Sequence, residues 1–292
     1  MTRQPLLARR AEALLGTAVS ATSPVAGGDT STSTRLRLAD GRNALMKTHP
    51  GAPPGFFEAE ARGLRWLAEV ADGVPVPEIL AAAEDCLLLR WIDPGRPTAD
   101  AAAELGTRLA RTHLAGAALG ADEDGFIGRL PLPCRAPEGV SWAEFYAVRR
   151  VLPYLKLARD RGAVLPEDAA RVEALLPRLA GLVPDEPPAR LHGDLWNGNV
   201  LWGVGGTVHV LDPAAYGGHR EVDLAMLSLF GLPHLRELTD AYEDASAALG
   251  RPLDEEWRDR LGVHQIFPLL VHAALFGGGY GARAGALAAS YC

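Results

Sequence analysis

The apolar positions of this chain change their spacing several times in its first third and then settle to a helical period. Over residues 5–16, leucines at 6, 7, 14 and 15 gather on one face of a short helix that Gly16 ends. Residues 19–25 and 32–38 read as strands, Asp40-Gly41 as a hairpin turn, and residues 43–48 as a returning strand that carries Lys47. A proline- and glycine-rich loop at 50–55 opens into a helix over 56–70, whose apolar face holds Phe57, Leu64, Leu67 and Trp66. The runs 76–81 and 87–92 predict two more strands. Three strands, one helix and two strands make a small lobe, residues 1–92, with an antiparallel sheet packed on helix.

Asp93-Pro94-Gly95-Arg96-Pro97 is a joining loop, and residues 93–292 read as a second, mainly helical lobe. Thr98 opens an alanine-rich helix to about residue 119, and a loop rich in Gly and Pro spans 121–139. Helices over 141–162 and 167–182 follow, the first with Ser141 and Glu144 in capping-box spacing. After a strand-loop-strand segment, helices over 221–230, 234–249 and 253–276 close the chain, and Pro268 is expected to kink the last. The fold class is α+β with two lobes.

Composition narrows the setting. The chain has 292 residues, 48% hydrophobic and 22% charged, which suits a globular protein with a sizeable core. No apolar run approaches the roughly 20 residues that span a bilayer, and the N-terminus lacks a signal-peptide core. A cytoplasmic protein with no membrane partner is expected. Three scattered cysteines form neither a metal-ligand pattern nor a disulfide framework. A net charge of −7 argues against a nucleic-acid partner. Of 29 basic residues only Lys47 and Lys156 are lysines, so a site that keeps lysine against this background uses its compact ammonium.

The chemistry concentrates late in the chain. His192-Gly193-Asp194-Leu195-Trp196-Asn197-Gly198-Asn199 holds two of the three asparagines in the whole sequence, and Asp212 ends the apolar run that follows. Kinase-type sites use this spacing: Asp194 accepts the proton of an attacking hydroxyl, while Asn199 and Asp212 hold magnesium on the ATP phosphates. A polar turn between two strands is the bland alternative. Lys47 is placed to contact the α- and β-phosphates, and Glu60 lies on the inward face of the next helix, where it can orient the lysine. Gly27, Gly28 and Asp29 sit in a turn that lets backbone N–H groups approach phosphate, although an ordinary glycine hairpin explains them equally well. The backbone from Leu89 to Trp91 would meet the adenine edge. His192 pins backbone. Trp196 is either an apolar wall for a sugar or linked amine, or plain core. Glu221 and Asp223 open a helix, where the dipole suffices to explain them and bracing of the loop is the sharper option.

These residues resemble the fructosamine (ketosamine) kinases, relatives of aminoglycoside phosphotransferases and choline kinases. The resemblance runs through Gly27-Gly28-Asp29, Lys47, the helix carrying Phe57, Glu58 and Glu60, Gly125-Phe126-Ile127-Gly128, and Trp142, Phe145, Tyr146 and Arg150. It continues through the His192–Asn199 octet, Asp212-Pro213-Ala214 with Tyr216 and Arg220-Glu221-x-Asp223-Leu224-Ala225-Met226, and Leu275-Phe276-Gly277-Gly278-Gly279-Tyr280. It implies a protein-kinase-like fold, ATP, magnesium, and phosphorylation of the 3-hydroxyl of a ketosamine, either a small molecule or a glycated protein, as deglycation repair. It implies Asp194 as base, Asn199 and Asp212 as metal ligands, and Lys47 with Glu60 for the phosphates. Arg90 departs from the acidic residue common at the hinge, and His264-Gln265-Ile266-Phe267 from Tyr-Gln-Leu-Tyr. The rivals are a phosphotransferase for aminoglycosides or other amino-alcohols, and an ATP-binding module without turnover.

Overall fold

The computed structural model describes residues 4–26 and 31–292; Gly27, Gly28 and Asp29, the expected phosphate turn, lie outside the described residues. Helix α1 (Gln4–Leu15) leads into β1 (Val19–Val25), β2 (Thr32–Leu38) and β3 (Asn43–Thr48), followed by α2 (Phe56–Ala68), β4 (Ile79–Ala83) and β5 (Cys86–Arg90). The strands form one antiparallel sheet in the order β1-β2-β3-β5-β4. Side chains alternate across a strand. Leu36, Leu38, Ala44, Met46, Cys86 and Leu88 therefore pack with Ala11 of α1, and Leu45, Leu87 and Leu89 meet Phe56, Phe57, Ala61 and Leu64 of α2. Lys47 shares the parity of Leu45, so the register aims it at α2 and buries it to 3% exposure.

The rest is mainly helical. The Thr98 hydroxyl caps α3 (Ala99–Leu114) by accepting from the Ala101 N–H at 3.2 Å. A hairpin of β6 (Gly125–Ile127) and β7 (Leu130–Leu132) precedes α4 (Trp142–Phe145), a π turn (Tyr146–Val151) and α5 (Leu152–Asp160). Then come α6 (Pro166–Leu175), α7 (Leu179–Leu182), β8 (Ala189–Leu191), β9 (Val200–Trp202), β10 (Val208–Val210) and β11 (Tyr216–Gly218). The pairs β9–β10 and β8–β11 are antiparallel. Helices α8 (Glu221–Phe230), α9 (Leu235–Ala248), α10 (Trp257–Phe276) and α11 (Tyr280–Ala289) complete the chain. Leu105 and Leu109 of α3 pack with Leu238 and Tyr242 of α9. This contact needs Gly106, since a Cβ there would lie 2.0 Å from the Leu238 carbonyl oxygen. A larger core joins Phe145, Tyr146 and Tyr154 to Phe267 and Leu270 of α10.

Several boundaries differ from the pattern of the sequence, each for a local reason. The fourth strand starts at Ile79 rather than 76, beyond Pro75 and Pro77, which cannot donate to a ladder. Helix α3 stops at Leu114; the Ala117 N–H then bonds the Pro188 carbonyl at 3.1 Å, and Gly120 bridges Gly217. The expected helix over 141–162 is interrupted by the π turn, which leaves Arg150 buried, donating to the Pro133 carbonyl at 2.6 Å with its guanidinium 3.8 Å from the Tyr216 ring centre. The loop over 121–139 contains a hairpin. Helix α10 runs through Pro268 without a break; the Tyr146 hydroxyl bridges the turn before it, donating to the Val263 carbonyl at 2.7 Å and accepting from the Phe267 N–H at 3.3 Å. Helix α11 lacked a sequence signal, because its close contacts use Gly281 and Gly285 rather than large apolar residues.

One buried polar cluster sits between α8 and α10. Arg260 donates to Glu221 at 2.7 Å, His264 lies 3.2 Å from the same carboxylate, and the His219 and His264 rings stack at 5.1 Å. The three residues His219, Glu221 and His264 bring metal-ligating atoms together, but the Arg260 guanidinium already stands where a cation would balance Glu221. Burial and then the neighbouring His264 push the His219 imidazole down to about 3. Burial alone would raise Glu221; bonds from His264 and Arg260 outweigh it and hold the carboxyl at about 2.

Both shifts give stability the same sign of pH dependence. An unfolded chain takes up the His219 proton as pH falls below about 6.5 and the Glu221 proton below about 4.3, while the folded protein resists both. Stability from this cluster is fully present above neutral pH and is lost progressively from about pH 6.5 down to the folded values. Thermal denaturation between pH 7 and pH 4 should show a steep fall in Tm for the parent and a shallower one for His219→Gln. Coincident slopes would place the acid sensitivity elsewhere.

Candidate active site

The cleft between the sheet and the helical body has a volume of about 1160 Å³, and its lining includes Lys47, Glu60, Asp194, Trp196, Asn199 and Asp212. Lys47 comes from β3 and Glu60 from the second turn of α2; their charges meet at 2.6 Å in a buried pair. The Lys47 ammonium also contacts Asp212. Asp212 follows β10 with φ of 57°, a left-handed backbone that Asp tolerates better than most residues and that re-aims its carboxylate into the cleft. Gly63 of α2 closes the triangle: a Cβ there would sit 3.0 Å from Pro213 and 3.2 Å from Ala215. The helix therefore rests directly on the segment after Asp212.

The loop from His192 to Asn199 is held from several sides. The His192 Nε2 bonds the Leu211 carbonyl at 3.0 Å, and its Nδ1 accepts from the Asp194 N–H at 3.2 Å, which sets a neutral ring with the proton on Nε2. Burial lowers this imidazole further from charge. Gly193 has φ of 81°, and a Cβ would lie 2.1 Å from the Ala214 carbonyl oxygen, so the turn requires glycine. Asn199 donates through Nδ2 to the Asp194 carbonyl at 2.8 Å and to its carboxylate at 3.1 Å. That leaves the Asn199 Oδ1 as its acceptor.

Asp223 accounts for the remaining support. One oxygen accepts the His192 N–H at 2.8 Å and the other the Gly193 N–H at 2.9 Å. His113 of α3 lies 3.1 Å from Asp223 and 2.8 Å from the hydroxyl of Tyr242 on α9. The helical body thus grips the loop through a buried line of Tyr242, His113 and Asp223. Bracing explains Asp223, and the Arg260 cluster explains Glu221. His113 and Tyr242 were missed in the sequence, where each reads as one more residue on an amphipathic helix.

Charge is arranged unevenly across the cleft. Burial, helped by the nearby Asp212 carboxylate and opposed by the Asn199 hydrogen bond, pushes the Asp194 carboxyl up to about 7. Burial would lower Lys47, yet Asp212 and Glu60 together keep its ammonium above the ordinary lysine range. Asp212 is held below the usual carboxylate range, since Lys47 outweighs its burial. Glu60, the more buried acid, is pushed up to about 8 by burial. The Asn199 amide oxygen and the Asp212 and Asp194 carboxylates are hard oxygen donors of the kind magnesium takes, so the residues fit that ion.

The sheet end of the cleft departs from expectation. Leu89 is fully buried between β3 and β4, opposite Leu45 and Ile79, and does not line the cleft. Trp91 does, but its N–H is taken by the Asn43 carbonyl at 3.2 Å, while Arg90 donates to Glu78 at 2.8 Å. The Leu89 side chain therefore stays out of the cleft, and of this stretch Arg90, Trp91 and Ile92 line it. Trp196 lines the far end, its ring 5.9 Å from Phe230 and closely covering Gly198. His272 and Phe276 of α10 line the same end, and Phe276 is 52% exposed.

Asp223→Asn puts an amide N–H against backbone donors and removes a buried charge partner. It should cost on the order of 3 kcal/mol of stability and lower kcat more than either Michaelis constant. Unchanged kcat with a normal denaturation midpoint would show that Asp223 does not brace the loop.

Residues 5–291 match the family model described as fructosamine kinase. The probable ketoamine kinase of Thermus thermophilus is 40% identical over 262 residues, 88% of each chain. A Thermobifida fusca protein of known structure, provisionally named a fructosamine-3-kinase, is 44% identical with a TM-score of 0.89 over 98% of each chain. A thermostable aminoglycoside phosphotransferase in complex with ADP and hygromycin B has a TM-score of 0.62 at 17% identity, covering 98% of this chain and 97% of that one, a likeness of fold alone.

Proposed function

The chain belongs to the fructosamine kinase family of ATP-dependent phosphotransferases, and from that premise we propose that it transfers the γ-phosphoryl group of ATP to the 3-hydroxyl of a ketosamine, in repair of glycated amines. The observation that carries this is the line of charge across the cleft, in which buried Lys47 joins Glu60 to Asp212 and Asn199 ties itself to Asp194. We read residues 1–92 as the nucleotide lobe and 93–292 as the catalytic and substrate lobe. Unpaired thiols at Cys86, Cys134 and Cys292 suit a reducing compartment, and we place the protein in the cytoplasm.

Lys47 positions the α- and β-phosphates, and Glu60 holds the lysine. Asn199 and Asp212 are the residues to hold magnesium, which when bound supplies neutralising charge at the phosphate oxygens. Asp194 orients the substrate hydroxyl and takes its proton as the oxygen bonds to the γ-phosphorus. The bond from that phosphorus to the β–γ bridging oxygen breaks, and ADP leaves. The transition state is loose, so alignment and charge stabilisation supply most of the rate.

Asp194→Asn should retain fold and ATP binding while kcat falls by about two or more orders of magnitude. Near-normal turnover would move the base elsewhere.

Selectivity for ketosamines rests on the aromatic end of the cleft. One compact sugar would lie against Trp196, with the amine side open toward exposed Phe276. The protein should phosphorylate a fructose- or ribulose-linked lysine derivative, with the product 3-phosphate located by NMR, and leave kanamycin-like compounds largely untouched. Trp196→Ala should raise KM for the ketosamine far more than KM for ATP. Turnover of an aminoglycoside with no ketosamine accepted would favour the aminoglycoside reading, and ATP binding without any turnover the non-catalytic one.

A further inference from the structure

Helix α2 carries Glu60 to Lys47, so its position decides whether that pair forms. Its apolar face packs Phe57, Ala61 and Leu64 on the sheet, and three further contacts set how it lies against the site. Glu60 meets Lys47, and Gly63 lies against Pro213 and Ala215. The third contact is made at the far end by Arg190, a residue on β8 two positions before His192 and opposite Gly217 of β11. Its guanidinium lies over the Trp66 ring at 4.6 Å and donates both to the Trp66 carbonyl and to the Glu69 carboxylate, the latter at 3.0 Å. The Arg190 side chain is 15% exposed. The N-terminal end of α2 is held differently: Gly55 caps it without a side-chain hydrogen bond, and the buried Phe56 ring lies 5.3 Å from that of Phe126.

We propose that Arg190 is a positioning residue: by clamping the last turn of α2 to the strand that enters the His192–Asn199 loop, it sets the approach of Glu60 to Lys47. A guanidinium suits this place for two separable reasons. Its charge satisfies carbonyls at a helix C-terminus, and its flat face stacks on indole where an ammonium would not. Arg190, Trp66 and Glu69 line the same cleft as Trp196 and Phe276; release of the clamp frees α2 to swing at its C-terminal end and draws Glu60 off Lys47, an effect felt at the phosphates. The clamp also ties the two halves of the cleft together, because β8 and the loop after it belong to the helical side and α2 to the sheet. This inference rests on the assignment of Lys47 and Glu60 to the phosphate site.

The test is a double-mutant cycle of Arg190→Gln and Glu60→Gln in the full-length enzyme. It is read by kcat/KM for ATP, KM for the sugar-amine substrate, and Tm. Arg190→Gln should lower kcat/KM for ATP by about tenfold and leave KM for the sugar-amine unchanged. In the Glu60→Gln background the same change should have no further effect on kcat/KM, since the pair it positions is already gone. Trp66→Leu, which opens the clamp from the helix side, should reproduce the pattern, and Trp66→Phe should restore most of the activity by keeping a stacking face. Independent losses that multiply in the double variant would overturn the proposal. So would an Arg190→Gln enzyme whose Tm falls while kcat/KM for ATP stays at the parent value. A Glu60→Gln enzyme with parental kcat/KM would instead overturn the phosphate-site assignment, and the clamp's role with it.

Discussion

The buried Lys47 ammonium is the constraint around which the site is built. An ammonium removed from water carries a penalty of several kcal/mol, and one carboxylate rarely repays it. Here two acidic side chains share it from opposite directions, Glu60 from α2 and Asp212 from the turn after β10. The pairing fixes three elements relative to one another. A slip of one residue in the β2–β3 or β3–β5 register would turn Lys47 to the α1 face, among Leu36, Met46 and Leu88, with no partner. The apolar alternation of the sheet and the charge of the site therefore enforce the same register.

The opposite wall is fixed by hydrogen bonds to backbone rather than by paired charge. Asp223 receives the N–H groups of His192 and Gly193, and His192 and Asn199 each bond back into the loop or the strand beside it. A charge-assisted bond is about twice as strong as a neutral one, and two of them on consecutive residues leave the turn little freedom. That rigidity matters for phosphoryl transfer, where the protein contributes alignment more than covalent chemistry. A loop free to move by an ångström would forfeit much of it.

Much of this was legible in the chain because the relevant signals are local. The hairpin pattern put Lys47 on the returning strand, helical spacing put Glu60 on the inward face of the next helix, and rare asparagines marked the loop. What stayed hidden depends on distant packing. Nothing near His113 or Tyr242 in sequence shows that α3 and α9 converge behind Asp223. A run of leucines does not reveal which side chains neighbouring elements cover; only the register shows Leu89 opposite Leu45 and Ile79. The π turn at Tyr146–Val151 and the small-residue contacts of α11 likewise follow from what they pack against.

Helix α8 shows how such packing decides between two readings of the same residues. Acidic side chains in a first helical turn gain roughly 0.3–1 kcal/mol from the dipole when exposed. Glu221 and Asp223 are fully buried, and burying a carboxylate costs several times that amount. The dipole cannot keep them charged there; their partners can. Two residues apart on a helix, they point to nearly opposite sides, Asp223 toward the backbone of the His192 turn and Glu221 toward Arg260 and His264 of α10. One short helix end thereby joins the loop to the helical core.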